Sequence, residues 1–236
     1  MNIALIIAGG SGARMGQDIP KQFLNVNDKP VIIYTLEAFQ NHPNIDAIEI
    51  VCIDGWSEIL YAYCKQFGIS KLENVVTGGD CGQASIRNGI IDIKGRHDDD
   101  SIILIHDAIR PMVTPEIISD CIRVCSTYGN AITAIPCAEA MLETTDGITS
   151  NMQIPRDNLK RSQTPQAVRL GELITAHEEA LEKGITNSVA TCTMLIELGK
   201  KIYFSVGSEK NVKLTTVDDI EIFKALLNSS KAEWMK

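Results

Sequence analysis

Short apolar runs alternate along the chain with segments whose apolar residues recur at helical spacing. The apolar runs predict strands at residues 3–8, 45–53, 72–76, 101–106 and 131–135. The segments between them predict helices at residues 30–41, 57–67, 83–91 and 115–128. Because strand and helix alternate, we predict an α/β fold, with a mostly parallel twisted sheet covered by helices on both faces.

The alternation breaks after residue 136, where Asp146-Gly147 gives a turn signal between two short, Thr-rich strands. Few residues of this stretch could fill a core, so we predict a β-hairpin arm, at about residues 138–160, that projects from the domain. Its apolar residues need a surface to pack on, and a second copy of the chain is the economical partner. A flap lying on its own domain is the alternative.

Regular patterns resume after the arm. Helices are predicted at residues 171–181, 187–198 and 217–227, and a strand at residues 201–206. No linker or low-complexity stretch divides the sequence, so we predict a single domain over residues 1–236.

Composition excludes several classes of protein. Of the 236 residues, 44% are hydrophobic, which is enough for a core, and the net charge is −8. No block of Lys and Arg indicates a nucleic-acid surface, so a few placed cations would bind any anionic ligand. No signal peptide precedes the first strand and no apolar run reaches the ~20 residues of a membrane span, so we expect a cytoplasmic protein without membrane contact. Cys121 and Cys125 lack the companions of a zinc site, and we expect buried free thiols.

The first apolar run leads into the glycine-rich stretch AGGSGARMG at residues 8–16. Its glycines miss the dinucleotide fingerprint G-x-G-x-x-G by one position, and the Walker pattern G-x-x-x-x-G-K-[ST] is absent. Glycines let backbone N–H groups approach oxygen atoms closely. Arg14 and Lys21 add two positive charges, which favours a triphosphate as the ligand. A simple tight turn is the alternative.

Five groups of residues resemble, in order and spacing, the motifs of one enzyme family. They are LIIAGGSGARMG with PKQFL, GGD (78–80) with SIRNG (85–89), HDAIRP (106–111), QTPQ (163–166) and NVKLTT (211–216). Over almost its whole length the chain resembles the cytidylyltransferases of the methylerythritol-phosphate and ribitol-phosphate group. The resemblance implies a Rossmann-like nucleotidyltransferase domain, a homodimer formed through the hairpin arm, and binding of CTP with Mg²⁺ or another divalent cation.

The reaction that the resemblance implies is attack of a polyol phosphate on the α-phosphorus of CTP, with pyrophosphate as the leaving group. A phosphate oxygen is already anionic near neutral pH, since its second pKa is about 6, and no general base is needed. The chemical problem is the approach of two polyanions, which fixed cations solve.

The resemblance also implies a role for individual residues. The residues expected to stabilise the reacting phosphates are Arg14, Lys21 and Lys213. Those expected to bind the nucleotide are Ala8, Gly9, Gly10, Gly12, Gly79, Asp80, Ser85 and Ala108. Those expected to bind the acceptor are Asp107, Arg110, Thr164 and Arg156, the last in the site of the partner subunit. Asp107 is also the candidate Mg²⁺ ligand. The alternatives are a helix cap for Asp107, an ion pair for Arg110 and a surface position for Arg156.

His106 stands beside Asp107, and a general-base role could be suggested for it. The family pattern instead implies that this histidine supports its neighbours by hydrogen bonding.

Two stretches on the acceptor side depart from the family pattern. Residues 139–142 read EAML where Asp-Thr and then Lys are usual, and residues 189–192 read VATC where Thr-Asp is usual. Gly82 also stands where an arginine is usual. The nucleotide half of the pattern is therefore intact and the acceptor half is altered.

These departures bear on the acceptor, because buried polar groups discriminate strongly between substrate hydroxyls. We expect a pentitol phosphate such as D-ribitol 5-phosphate. The alternatives are 2-C-methyl-D-erythritol 4-phosphate or another alditol phosphate as acceptor, a uridylyl- or guanylyltransferase of the same broad fold, and a non-catalytic nucleotide-binding protein.

Overall fold

The structure is a computed structural model that describes residues 1–10 and 19–232, with side chains up to residue 229. Its strands are β1 Asn2–Ala8, β2 Asn25–Val26, β3 Lys29–Pro30, β4 Ala47–Cys52, β5 Leu72–Thr77, β6 Ile102–Asp107, β7 Asn130–Pro136, β8 Met141–Glu143, β9 Met152–Ile154, β10 Lys160–Arg169 and β11 Phe204–Val206. Its α-helices are α1 Val31–Gln40, α2 Ser57–Gln66, α3 Gly82–Lys94, α4 Pro115–Tyr128, α5 Leu170–Glu182, α6 Thr191–Glu197 and α7 Val217–Ala232. Two 3-10 helices span Lys21–Phe23 and Arg156–Asn158.

Within the described residues, seven strands form the main sheet in the order β11-β7-β10-β6-β1-β4-β5. All neighbouring pairs are parallel except those of β10, which runs antiparallel to both β6 and β7. The sheet is therefore mostly parallel, as predicted. Because successive strands return to the same edge through helices, the carboxyl ends of β1, β5 and β6 meet at that edge.

Helices cover both faces of the sheet. In β1, Ala4 and Ile6 face the layer formed by α1, α2 and α4, while Ile3 and Leu5 face the layer formed by α3, α5 and α6. Successive residues of a strand point to opposite faces. A strand buried on both faces must therefore be apolar at consecutive positions, which explains the continuous apolar runs in the sequence.

The sequence did not predict β10. Its residues read KRSQTPQAVR, which is polar in the first half and contains a proline, yet the strand lies inside the sheet. For one helix and one strand that follow β10, the predicted first residue is wrong. The helix expected from residue 187 begins at Thr191, and the strand expected from residue 201 begins at Phe204.

The hairpin arm projects as predicted. Strands β8 and β9 pair antiparallel, and the side chains from residue 138 to residue 153 are exposed. A flap packed on its own domain does not fit these exposures. The expected two-residue turn is wrong, because residues 144–151 connect the strands and the Asp146 carboxylate accepts hydrogen bonds from the backbone N–H groups of Ile148 and Thr149.

Two further expectations concern cysteines and membranes. All seven cysteines carry free thiols, and all except Cys81 are buried. In the part of the chain that the structure describes, no helix is both long and apolar enough to cross a bilayer.

Candidate functional site

A cavity of about 650 Å³ opens at the carboxyl edge of the sheet. This volume lies in the range of small-molecule sites. The predicted residues that line it are Ala8, Gly9, Gly10, Lys21, Gly79, Asp80, Ser85, Asp107, Ala108, Arg110, Thr164 and Lys213. Arg14 and Gly12 lie outside the described residues. The structure therefore brings together most of the residues that the sequence singled out, from segments far apart in the chain.

The 3-10 helix Lys21–Phe23 places three side chains in three directions. Lys21 lines the cavity. Gln22 is buried and donates from Nε2 to the carbonyl oxygens of Ala8 at 2.8 Å and Gly10 at 3.0 Å. Phe23 is buried and stacks on Trp56 with 4.6 Å between ring centroids. Sequence reasoning missed Gln22, because nothing in the local pattern marks a buried amide at this position.

The start of α3 forms the side of the cavity expected to meet the base and ribose. Ser85 Oγ accepts a hydrogen bond from the Gly79 backbone N–H at 3.0 Å. A Cβ added at Gly79 would lie 2.6 Å from the Ala84 Cβ, so only glycine allows this close approach. Gly9 packs less tightly, and an added Cβ there would lie 3.3 Å from Ser85 Oγ. The two glycine segments thus meet at Ser85.

Asp107 ends β6 between two cations. Its carboxylate oxygens accept from Arg110 Nε and from Lys213 Nζ, each at 3.0 Å. Arg110 also donates from Nη1 to the Asn211 carbonyl at 2.8 Å. Burial alone would raise the pKa of Asp107, but Lys213 and Arg110 together hold it below its ordinary value. The cluster is an ionised carboxylate with two bound cations.

His106 is fully buried and hydrogen-bonded at both ring nitrogens. Its Nε2 lies 3.2 Å from the Arg110 carbonyl oxygen, and its Nδ1 lies 3.0 Å from Thr164 Oγ1. Burial lowers the pKa of His106 to about 4, so the ring is neutral near pH 7. We assign the proton to Nε2, because a carbonyl can only accept. Thr164 then donates to Nδ1 and accepts from the Asp107 N–H at 3.1 Å. This supports the hydrogen-bonding role expected for His106.

The QTPQ and NVKLTT motifs interlock. The Gln163 amide donates to the Ser208 carbonyl at 2.8 Å and accepts from the Ser208 N–H at 3.2 Å. Asn211 is fully buried and donates to the Thr164 carbonyl at 2.9 Å. Because these bonds fix residues 208–211 on β10, Lys213 emerges at a defined place beside Asp107.

The opposite side of the cavity is formed by α5 and residues 188–194. His177 and Thr191 line it and are buried. Neither ring nitrogen of His177, nor Thr191 Oγ1, has a hydrogen-bond partner within the described residues. Burial, with a smaller contribution from the charge of Arg87, lowers the pKa of His177 to about 4. Sequence reasoning missed both residues, although the departing stretch VATC lies on this side.

Arg156 does not reach the cavity of its own chain. It lies exposed in its 3-10 helix and donates to the Ala138 carbonyl at 2.8 Å.

A preformed metal cage is absent from residues 1–10 and 19–232, where no group of three His, Cys, Asp or Glu side chains could hold an ion. Both oxygens of Asp107 already accept from cations. Mg²⁺ commonly binds through one or two carboxylates together with substrate phosphates. The donor set fits an ion held mainly by a bound triphosphate, with Asp107 as a candidate protein ligand.

Comparison with known proteins agrees with the motifs. The ribitol-5-phosphate cytidylyltransferase of Lacticaseibacillus paracasei is 44% identical over 98% of this chain and 100% of its own length. The 2-C-methyl-D-erythritol 4-phosphate cytidylyltransferase of Geotalea uraniireducens is 33% identical over 98% of both chains.

A solved structure and a family model extend the comparison. The crystal structure of the Francisella tularensis 2-C-methyl-D-erythritol 4-phosphate cytidylyltransferase (IspD) superposes with a TM-score of 0.76 at 28% identity, over 94% of this chain and 98% of that one. The family model described as IspD, 2-C-methyl-D-erythritol 4-phosphate cytidylyltransferase, matches residues 2–229. This chain therefore belongs to the IspD family of cytidylyltransferases.

Proposed function

We propose that this protein transfers CMP from CTP to a pentitol phosphate, with D-ribitol 5-phosphate as the acceptor, and releases pyrophosphate. The observation that carries the proposal is the convergence of Lys21, Arg110 and Lys213 with two glycine segments in one cavity. Such a cavity suits two phosphate-bearing ligands. A protein that bound only a dinucleotide would not need so many cations around a single edge of the sheet.

The chemistry follows from charge. An acceptor phosphate oxygen attacks the α-phosphorus of CTP, the bond to the bridging oxygen breaks, and pyrophosphate leaves with the bonding electrons. Lys21 and Lys213, together with Arg14, stabilise the charge that develops on the α-phosphate oxygens. Arg110 binds the acceptor phosphate. A fixed cation acts most strongly where water is excluded, and the partly enclosed cavity provides such a place.

Asp107 has a preparatory role in this scheme. Before substrates bind, it neutralises Lys213 and Arg110 and holds both side chains at the edge of β6. Phosphate oxygens then replace the carboxylate as their partners. Asp107 is left to accept a hydrogen bond from an acceptor hydroxyl or to ligate the divalent cation. That ion supplies further neutralisation of the triphosphate.

The choice of acceptor rests on similarity and on the altered stretches. The relative named for ribitol 5-phosphate is more similar to this chain than the relative named for methylerythritol phosphate. In place of the acidic residue expected in the family, the wall formed by α5 and residues 188–194 contains Thr191, whose hydroxyl is buried and has no partner within the described residues. A linear pentitol needs neutral hydrogen-bonding groups along its length, which such a wall offers.

The test is a pyrophosphate-release assay with CTP, Mg²⁺ and four acceptors: D-ribitol 5-phosphate, arabinitol 5-phosphate, 2-C-methyl-D-erythritol 4-phosphate and glycerol 3-phosphate. We expect the highest kcat/KM with ribitol 5-phosphate, by at least about tenfold, which corresponds to about 1.4 kcal/mol of transition-state discrimination. A higher value with methylerythritol phosphate would favour the alternative acceptor. Replacing CTP with UTP or GTP checks the base preference. Binding of CTP without turnover on any acceptor would favour a non-catalytic protein.

We also propose that the active protein is a homodimer in which the arm carries Arg156 into the site of the neighbouring subunit. The supporting observations are the exposure of the arm and of its apolar residues, Leu142 at 63% and Ile148 at 87%, and the distance of Arg156 from its own cavity. An apolar arm without a partner would be an association hazard.

A mixed-dimer experiment tests this arrangement. Lys213→Ala and Arg156→Ala chains, each nearly inactive as homodimers, are coexpressed with different tags. If each site combines Lys213 of one chain with Arg156 of the partner subunit, every mixed dimer contains one intact site, and random pairing restores about a quarter of wild-type activity. Activity that stays at the level of the parents would show that the sites are not shared.

A further inference from the structure

Gln22 is the buried centre of the short helix that also carries Lys21. Gln22 is 2% exposed. Contacts of the neighbouring residues hold the backbone of this helix in place. The Phe23 backbone N–H donates to the Pro20 carbonyl at 2.8 Å, and the Phe23 ring stacks on Trp56. The Gln22 side chain therefore starts from a backbone that the core holds in place.

The amide nitrogen of Gln22 faces two carbonyl oxygens, and these acceptors determine which way the amide group points. Ala8 and Gly10 both present acceptors, at 2.8 Å and 3.0 Å, so the NH₂ group and not the amide oxygen must point at them. One NH₂ group carries two hydrogens and satisfies both carbonyls. The reverse orientation would set the amide oxygen against two other acceptors, so this orientation is strongly favoured.

These two bonds join the end of β1, where the Ala8 carbonyl also accepts from the Ile53 backbone N–H at 3.1 Å, to Gly10 beyond the strand. Gly10 has no side chain, and among the described residues nothing lies within 4 Å of a Cβ added there, so the bond from Gln22 restrains a carbonyl that packing of these residues does not hold. A trans peptide is planar and places its C=O and N–H on opposite sides. Holding the Ala8 carbonyl therefore helps to set the direction of the Gly9 N–H, and the second bond holds the Gly10 carbonyl beside it.

We propose that Gln22 is a positioning residue for the triphosphate. It orients the backbone at residues 8–10 and fixes it relative to Lys21 on the same short helix, so that backbone donors and the ammonium group meet the same phosphates. The inference rests on the proposed use of CTP and adds to it a residue that lines the cavity and acts through the backbone it holds.

The test compares CTP binding by calorimetry, in the presence of Mg²⁺, between wild type and Gln22→Met. Methionine has a similar length and keeps the packing but donates no hydrogen bond. We expect the Kd for CTP to rise about tenfold, because the backbone conformation that binds the phosphates becomes only one of several that the free variant adopts. The KM for the acceptor should not change. Gln22→Glu should weaken CTP binding further, since a carboxylate cannot donate and adds a negative charge near the phosphates.

The matched control is Gln40→Met. Gln40 lies on α1 and also links a loop through its amide, donating to Ser70 Oγ and accepting from the Lys71 N–H at 2.9 Å each. It does not line the cavity. We expect this variant to keep the wild-type Kd for CTP even if its thermal unfolding temperature falls.

The outcomes separate the two proposals. Wild-type affinity for CTP in Gln22→Met, with or without a lower unfolding temperature, would overturn the positioning role. If wild type itself bound no CTP, the proposed function would fail first. Should Gln22→Met not fold, Gln22→Asn replaces it, because the shorter amide cannot reach both carbonyls; the same tenfold rise supports the role and unchanged affinity rejects it.

Discussion

Two sides of the cavity differ in whether their polar side chains have hydrogen-bond partners within the described residues. The charged wall consists of Asp107, Arg110 and Lys213, with the buried His106 and the half-buried Thr164 behind them. Hydrogen bonds link these residues to one another. The α5 wall consists of α5 and residues 188–194. There His177 and Thr191 are equally buried, yet their polar side-chain atoms have no partner in the described part of the chain.

In the proposed reaction, this difference separates chemistry from recognition. Stabilising a reacting phosphate requires cations held in fixed positions before the substrate arrives, and a bonded network provides this. Recognition of one acceptor among several requires groups that a ligand can satisfy and that a wrong ligand leaves unpaired. The charged wall has the first property, and we propose that the unpartnered polar atoms of the α5 wall supply the second.

The largest expected effect follows from removing a cation of the charged wall. Lys213→Ala should lower kcat/KM at least about 100-fold, because a fixed charge at a developing oxyanion is typically worth that much. The fold should persist, since Lys213 is partly exposed and its partner Asp107 keeps Arg110. Pyrophosphate release measures the rate.

The matched control is Lys210→Ala, an exposed lysine three positions earlier on the same segment. It should retain activity close to wild type. A loss of less than fivefold in Lys213→Ala, or equal losses in the two variants, would place the reacting phosphate elsewhere and remove the distinction between the walls.

A smaller effect is expected from the histidine of the α5 wall. The folded pKa of His177 is about 4, against 6.5 as its ordinary value. As the pH falls from 6.5 to 4 the unfolded chain binds a proton that the folded chain does not, so folding stability falls over this window. His177→Leu lacks the titrating group and should escape that loss.

Urea unfolding at pH 7.5 and pH 5 measures this effect. The unfolding free energy of His177→Leu minus that of wild type should be about 2 kcal/mol larger at pH 5 than at pH 7.5. His106→Leu serves as the comparison, because it removes a ring with bonds at both nitrogens and should lose stability already at pH 7.5. Equal pH dependence in wild type and His177→Leu would mean that this ring is protonated or bonded in the folded protein.

Local periodicity in the sequence predicted the alternating strands and helices that form the core. The family motifs predicted most residues of the charged wall. Neither predicted β10, since the polar residues Gln163 and Gln166 are buried only because distant segments satisfy them. A local pattern reads such residues as exposed. Gln22 was missed for the same reason, as its partners lie 12 and 14 positions away.

The α5 wall shows a different limit. The helical spacing of Leu173, Ala176 and Ala180 places His177 on the buried face of α5, so its burial could have been inferred. Whether a buried ring has a hydrogen-bond partner depends on atoms from other elements, and no spacing rule reports that.

The smallest expected effect is also the most direct comparison of the walls, because each contains a threonine that lines the cavity. Thr164→Val removes the hydroxyl between His106 Nδ1 and the Asp107 N–H and leaves both without that partner. Thr191→Val removes a buried hydroxyl that has no partner in the described residues, and valine has nearly the same shape.

The two substitutions should therefore change stability in opposite directions. We expect Thr164→Val to lower the unfolding free energy by about 1–2 kcal/mol and Thr191→Val to raise it by about 1 kcal/mol, as measured by urea unfolding at pH 7.5 without ligands. Adding the acceptor turns the same pair into a test of recognition. If Thr191 pairs with a substrate hydroxyl, stabilisation by the acceptor should be weaker in Thr191→Val than in wild type. Destabilisation by both substitutions would mean that the hydroxyl of Thr191 is already satisfied in the folded protein, and the two walls would then not differ in this respect.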